Sequence, residues 1–464
     1  AGLSMRGAGA KAPAGEDLDM DWTTATAAAI GRAIGEGAAD PVEAAEAFLG
    51  AIAAHPQGRR IYARTTPGRA RAEAEAARAR ARAGTRRGPL DGVPLSWKDL
   101  FDTAGVATEA GTSYLAGRLP DRDAAVLGRA TAAGTVCLGK THMTEIAFSG
   151  LGLNPGTATP PGWPDPDRLP GGSSSGAAAS VAWGLAPAAI GSDTGGSVRL
   201  PAAWNGLVGF KPAHGALPLD GVVPLCPSFD TVGPIARTVE DCALLWEALG
   251  GPRVDLSGAA LSGLTFGIAR AVVGEALEEA PARAFEAALA RLAAAGARLV
   301  ELEVPGVRRA YELANPLYAA EAWAMWRERI EADPARMFPP TLARVSAGRD
   351  VLAADWIAGW AELRAIRAAA AGAIGGVDAV LCPACPILPP LAAAVAADHE
   401  LFRARNLMAL RNTRFGNLLG LASLALPVAG EPSCGVLLNG LPGREGALLR
   451  AGEAAFRAVS GAMA

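Results

Sequence analysis

Aromatic residues are scarce in this chain, 5% of 464 positions. Half of the residues are hydrophobic, so alanine, valine and leucine must fill the core. Histidine is scarcer still. His55, His142, His214 and His399 are the only four, and none belongs to an HExxH pattern. A histidine base or a histidine-held metal therefore has few candidates. Six cysteines in so long a chain make no disulfide framework. Cys382 and Cys385 form a CxxC without a second pair, too few ligands for zinc. They read as a buried strand end. No apolar run reaches the 18 residues or so that a membrane span needs. The N-terminus shows no charged start followed by an apolar stretch, so no secretory signal is expected and a cytoplasmic location is the default. Neither sign of charge dominates: 43 basic against 46 acidic residues give a net −3. No nucleic-acid surface is expected from that balance. The one dense basic run, Arg78, Arg80, Arg82, Arg86 and Arg87, reads as a solvated helix face.

What is abundant is small and turn-forming, with 57 glycines and 34 prolines. Residues 1–23 look like a flexible lead-in. From 24 to 464 short apolar strands alternate with helices, and no linker divides them. The pattern predicts one large α/β domain with a mixed central sheet covered by helices on both faces. Asp40-Pro41 starts a helix by cap and first-turn proline. An Ala-rich helix is expected over 68–83. Val93 to Trp97 reads as a buried strand ending at Lys98. Further strands are expected at Thr135 to Leu138, Pro187 to Ile190, Thr265 to Ile268 and Arg298 to Leu302, with a long helix over 275–297. Residues 308–375 read as all-helical and hold Trp323, Trp326, Trp356 and Trp360. These rings either pack the helices or wall a pocket. That segment and the Pro/Gly-rich loop 154–169 are expected to shape substrate choice.

Two segments carry the chemistry. One is Pro170-Gly171-Gly172-Ser173-Ser174-Ser175-Gly176. The other is Gly191-Ser192-Asp193-Thr194-Gly195-Gly196-Ser197-Val198-Arg199. Glycine lets a ligand approach backbone N–H groups closely. Neither segment is a P-loop or a dinucleotide fingerprint. Hydroxyls beside glycines suit a nucleophile next to an oxyanion hole. A serine needs a base, and a buried lysine can serve if it is kept neutral. Lys98 follows an apolar strand and fits that requirement.

Residues 170–212 resemble the amidase signature, including Gly206-Leu207-Val208-Gly209-Phe210-Lys211-Pro212. The upstream Gly88 to Asp99 and Gly139 to Glu145 segments fit the same family. So do Asp230 to Pro234, Arg237 to Asp241, Asp378 to Pro383, Asn412-Thr413, Asn417 and Gly420. The resemblance implies the family's fold and a serine amidohydrolase without metal or organic cofactor. By it, Ser197 is the nucleophile, Ser173 the proton relay and Lys98 the base, with a cis peptide between Gly172 and Ser173. The backbone N–H groups of Thr194, Gly195, Gly196 and Ser197 form the oxyanion hole. Ser174, Asp193 and Arg199 support the loops. The chain departs from the family at His142 and at Trp204-Asn205-Gly206, so Thr141, His142, Met143 and Trp204 are candidates for the substrate pocket. The implied partner is a small-molecule amide, with no membrane or nucleic acid, and a homodimer is allowed. A second class shares the signature: the A subunit of a glutamyl-tRNA amidotransferase-like complex, or an amidase-like subunit that works only with a partner.

Overall fold

In the computed structural model, residues 20–461 are described. The expected lead-in over 1–23 therefore lies outside the described residues up to position 19. Eleven strands form one mixed sheet: β1 (Tyr62–Thr65), β2 (Pro94–Lys98), β3 (Val136–Thr141), β4 (Ala188–Ser192), β5 (Val208–Lys211), β6 (Val232–Ala236), β7 (Thr265–Ile268), β8 (Arg298–Glu301), β9 (Ala379–Pro383), β10 (Ala422–Pro427) and β11 (Gly435–Gly440). Their spatial order is β1-β3-β2-β4-β6-β5-β10-β11-β9-β7-β8. Strands β2, β3 and β4 run parallel to one another. Antiparallel pairing then carries the sheet from β4 through β6, β5, β10 and β11 to β9.

Strands β2 to β6, β9 and β11 are buried at every position. A strand buried throughout must be covered on both faces, which is why these segments read as apolar runs without alternation. Helices Ser175–Ala182, Arg199–Trp204 and Glu445–Val459 pack against β4, β5 and β10 respectively. The fold is the α/β arrangement the sequence predicts.

Local departures have local causes. The helix expected over 275–297 begins at Glu279. Val272 and Ala276 have positive φ, which no helix accommodates, and Pro281 is tolerated only in a first turn. Asp40 does cap its helix, accepting from the Val42 N–H at 2.7 Å. The basic run is not one solvated face. Its helix ends at Arg82, and Arg80 clamps the buried carboxylate of Asp91 through Nε at 2.9 Å and Nη2 at 2.5 Å. Arg86 donates to the Asp91 carbonyl at 3.1 Å. These arginines brace the turn that leads into β2.

Segment 308–375 consists of helices Val307–Ala332, Pro339–Ser346 and Ala353–Ile374 with short 3₁₀ turns between them. The Trp326 indole donates to the Pro224 carbonyl at 3.1 Å. Trp360 stacks near Phe229, with ring centroids 4.9 Å apart.

Candidate active site

Lys98 is the last residue of β2, and Ser192 is the last residue of the parallel neighbour β4. Parallel strands present their C-terminal ends on one edge, where α/β proteins build sites. There Lys98 Nζ donates to Ser173 Oγ at 2.7 Å and to Ser192 Oγ at 2.8 Å. Lys98 and Ser173 are fully buried. Burial pushes the lysine's pKa down to about 7, against the upward pull of Asp193 and Asp230. The amine can therefore give up its proton far more readily than an exposed lysine.

The shift alone does not mark a base. Burial also lowers Lys211 to about 7. Its Nζ, however, donates to the carbonyls of Pro212 and Leu421 at 2.8 and 2.7 Å. Lys98 is the one bonded to serine hydroxyls.

The peptide between Gly172 and Ser173 is cis, as the resemblance implies. Ser174 ties the two Gly/Ser loops together. Its hydroxyl donates to the Ser192 carbonyl at 3.1 Å, and its N–H to the Ser197 carbonyl at 3.3 Å. Asp193 and Arg199, both with fully buried side chains, form the main brace of the second loop. Arg199 Nε and Nη2 donate to the two carboxylate oxygens at 3.0 and 2.9 Å. Asn417 Nδ2 adds a bond at 2.9 Å. Burial raises the Asp193 pKa, but Arg199 and these bonds hold it well below the usual carboxylate range. Arg199→Met would leave that carboxylate buried without its cation. We expect a loss of about 3–5 kcal/mol in urea unfolding.

The oxyanion loop differs from expectation at one residue. The Gly196 N–H donates to Asp193 Oδ1 at 2.8 Å, so it is already committed. The N–H groups of Thr194, Gly195 and Ser197 meet no acceptor among the described residues. Their loop is held from outside. Tyr318 Oη donates to the Thr194 carbonyl at 3.1 Å, Thr413 Oγ1 to the Gly195 carbonyl at 2.8 Å, and Thr194 Oγ1 to Asp230 at 2.5 Å. Gly196 has φ +134°, and a Cβ there would lie 2.0 Å from Thr413 Oγ1. Gly196→Ala must therefore displace either Thr413 or the loop. The expected result is a fall in kcat of about 10²–10³-fold, the cost of misplacing one oxyanion donor, read by steady-state kinetics.

Ser197 makes no side-chain hydrogen bond among the described residues and opens on a narrow void of about 20 Å³, room for about one water. The link from Ser197 to Ser173 is not among the hydrogen bonds of this resting structure; such bonds often tighten only with substrate bound. Phe148, Ser149, Leu225, Tyr318, Arg344, Leu410 and Arg414 contribute to the lining. Beyond Phe148, Tyr318 and Arg344 lies a larger void of about 430 Å³, which those three residues also line.

The four residues expected at the pocket do not line the void at Ser197. Thr141 Oγ1 donates to the Trp97 carbonyl at 3.3 Å. The His142 backbone bridges Ile61 and Gly176, and burial pushes its imidazole down to about 4. The Met143 carbonyl accepts from Asn154 Nδ2 at 2.8 Å, and the Trp204 indole donates to the Ile387 carbonyl at 3.2 Å. Each is engaged in local packing, Thr141 at the end of β3 and Trp204 at the end of helix Arg199–Trp204. Loop 154–169 and the four tryptophans of 308–375 are also off this lining. The helical segment contributes Tyr318 and Arg344 instead. Those two, Phe148 and Arg414 went unnoticed in the sequence; only Arg414, a charge amid the small and amide residues 412–417, offered a signal there.

Comparison with known proteins shows the family. The amidase family model matches residues 43–449. A 2-amino-5-chloromuconic acid deaminase of Comamonas testosteroni is 35% identical over 376 residues, 79% of this chain and 81% of its own length. The A subunit of the glutamyl-tRNA(Gln) amidotransferase of Salinispora arenicola is 37% identical over 317 residues, 64% of each chain. Among solved structures, an amidase superposes with a TM-score of 0.82 at 33% identity, covering 93% of this chain and 99% of that one.

Proposed function

Since the chain belongs to the amidase family and is a hydrolase of carbon–nitrogen bonds, we propose that it opens a carboxamide through an acyl-enzyme on Ser197. Ser197 Oγ attacks the carbonyl carbon. Its proton passes to Ser173, whose own proton moves to Lys98. The developing oxyanion is met by the free N–H groups of Thr194, Gly195 and Ser197. Collapse breaks the C–N bond as the relay returns the proton to the departing ammonia or amine. Water then attacks the ester by the same path, releasing the acid and restoring Ser197.

The observation that supports this reading best is the pair of short bonds from a buried lysine to Ser173 and Ser192 at 2.7 and 2.8 Å. A neutral amine held between hydroxyls is a base in waiting. Asp193, Arg199 and Ser174 act as positioning residues. A fluorophosphonate probe tests the assignment. We expect one covalent adduct per chain, mapped to Ser197 by peptide mass, and ammonia release from simple amides. An adduct on another residue would overturn it.

A second reading rests on the likeness to amidotransferase A subunits: the chain would release ammonia from glutamine inside a complex. Hydrolysis of simple amides by the lone chain favours the first reading. Glutaminase activity that appears only with partner chains favours the second.

A further inference from the structure

Two arginines line the void at the reactive serine without a counter-charge among the described residues. Arg344 comes from helix Pro339–Ser346 and Arg414 from helix Arg411–Leu418, and both line the void onto which Ser197 opens. Neither makes an ion pair with a described residue. Arg344 donates through Nη1 to the Phe148 carbonyl at 2.8 Å, and its guanidinium lies 3.9 Å from the centre of the Phe148 ring. Arg414 is 6% exposed, and its Nε and Nη2 have no hydrogen-bond partner among the described residues. It lies against the oxyanion loop: a Cβ built on Gly195 would sit 3.9 Å from Arg414 Nε.

Buried charges are ordinarily paired, because an isolated ion loses its hydration without compensation. A guanidinium with two buried donors unused, beside a second one, is missing an anion. Among the described residues no Asp or Glu lines this void to supply it. Resting on the acyl-enzyme reading above, we propose that Arg414 and Arg344 form a subsite for a carboxylate carried by the substrate. The enzyme's amides are then anionic acid amides, with the carboxylate on the acyl side of the scissile bond. Arg414 holds it beside Gly195, so that binding the anion also sets the carbonyl against the free N–H groups. The lack of a lining carboxylate has a second consequence. An α-ammonium group would find no carboxylate and would lie beside two guanidinium groups, so glutamine is a poorer substrate than the same chain without its amino group.

The test compares matched amides: malonamate, succinamate and glutaramate, each against the neutral amide in which a methyl group replaces the carboxylate, with glutamine as the zwitterionic control. Wild-type kcat/KM should favour at least one anionic member over its neutral partner by roughly 10- to 150-fold, the reach of one hydrogen bond to a charged group. Arg414→Gln should erase that preference, lowering kcat/KM for the anionic series mainly through KM and by far more than for the neutral series, while Ser197 still takes the fluorophosphonate label. Arg344→Gln serves if the first variant does not fold. In the wild type, the matching dicarboxylate should slow labelling of Ser197 in proportion to its occupancy. If neutral amides are cleaved as well as anionic ones, or if both variants lower the two series alike, the subsite falls while the acyl-enzyme stands. If no amide is cleaved and Ser197 takes no label, both fall.

Discussion

Ser197→Ala should lower kcat by about 10⁴–10⁶-fold, with thermal unfolding close to that of the wild type. The size of the drop follows from the division of labour in such sites. Nucleophile, relay and base act as one unit, so deleting the nucleophile removes nearly all the catalysis that the unit supplies. What survives is the contribution of the free N–H groups and of binding. The stability expectation follows from the contacts. The Ser197 hydroxyl makes no hydrogen bond to a described residue, and its carbonyl keeps the bond from the Ser174 N–H at 3.3 Å. Removing one oxygen therefore leaves no buried partner unsatisfied. Ser173→Ala is the informative contrast. It deprives Lys98 of a partner at 2.7 Å and should cost stability as well as rate. Fluorophosphonate labelling and single-turnover kinetics separate the two. The Ser197 variant should show no adduct and no burst, and an adduct surviving in it would remove the nucleophile assignment.

The parts of this site that could be read in advance are those fixed by short stretches of chain. Ser173 and Ser197 lie in two loops whose glycines constrain the backbone whatever surrounds them. Lys98 ends an apolar strand, and an apolar strand in an α/β pattern is buried, so its low pKa follows from its neighbours in sequence. The parts that could not be read are set by how distant elements pack. Tyr318, Arg344 and Arg414 come from three helices, and which face of each turns toward Ser197 depends on how it docks on the sheet. His142 and Trp204 drew notice because they depart from the family pattern. The structure engages the first in backbone bridges and the second with the Ile387 carbonyl. Gly196 shows the limit at single-residue scale. Its sequence context marks it as an oxyanion donor, yet its N–H turns to Asp193, because the carboxylate that braces the loop also needs donors. The basic run of 78–87 misled for a related reason. Charge density suggests solvent, while Arg80 is held by a carboxylate lying in the turn before β2.

Lys98→Met is expected to lower kcat/KM by at least about 10²–10⁴-fold, the usual contribution of a positioned base, and to remove the acid limb of the pH profile. The sign follows from the state that reacts. Only the neutral amine can accept the proton from Ser173. With the pKa near 7, wild-type kcat/KM should fall tenfold per unit below pH 7 and level off above it. The variant's residual rate should not follow that curve. Stability gives an independent check on the same group. In the unfolded chain the lysine titrates at its ordinary 10.5, and in the native protein at about 7. Between those values the unfolded state binds the extra proton, so native stability rises with pH across that window and levels off beyond it. Lys211 has the same depression and is present in both proteins, so the quantity to measure is the difference between them. The cost of burying a charged Lys98 is felt in full below pH 7. Lys98→Met should therefore compare most favourably with the wild type in acid, and lose that relative gain as pH approaches 10. A stability difference flat from pH 6 to 10 would mean that Lys98 is not the buried, readily neutralised amine that the chemistry requires.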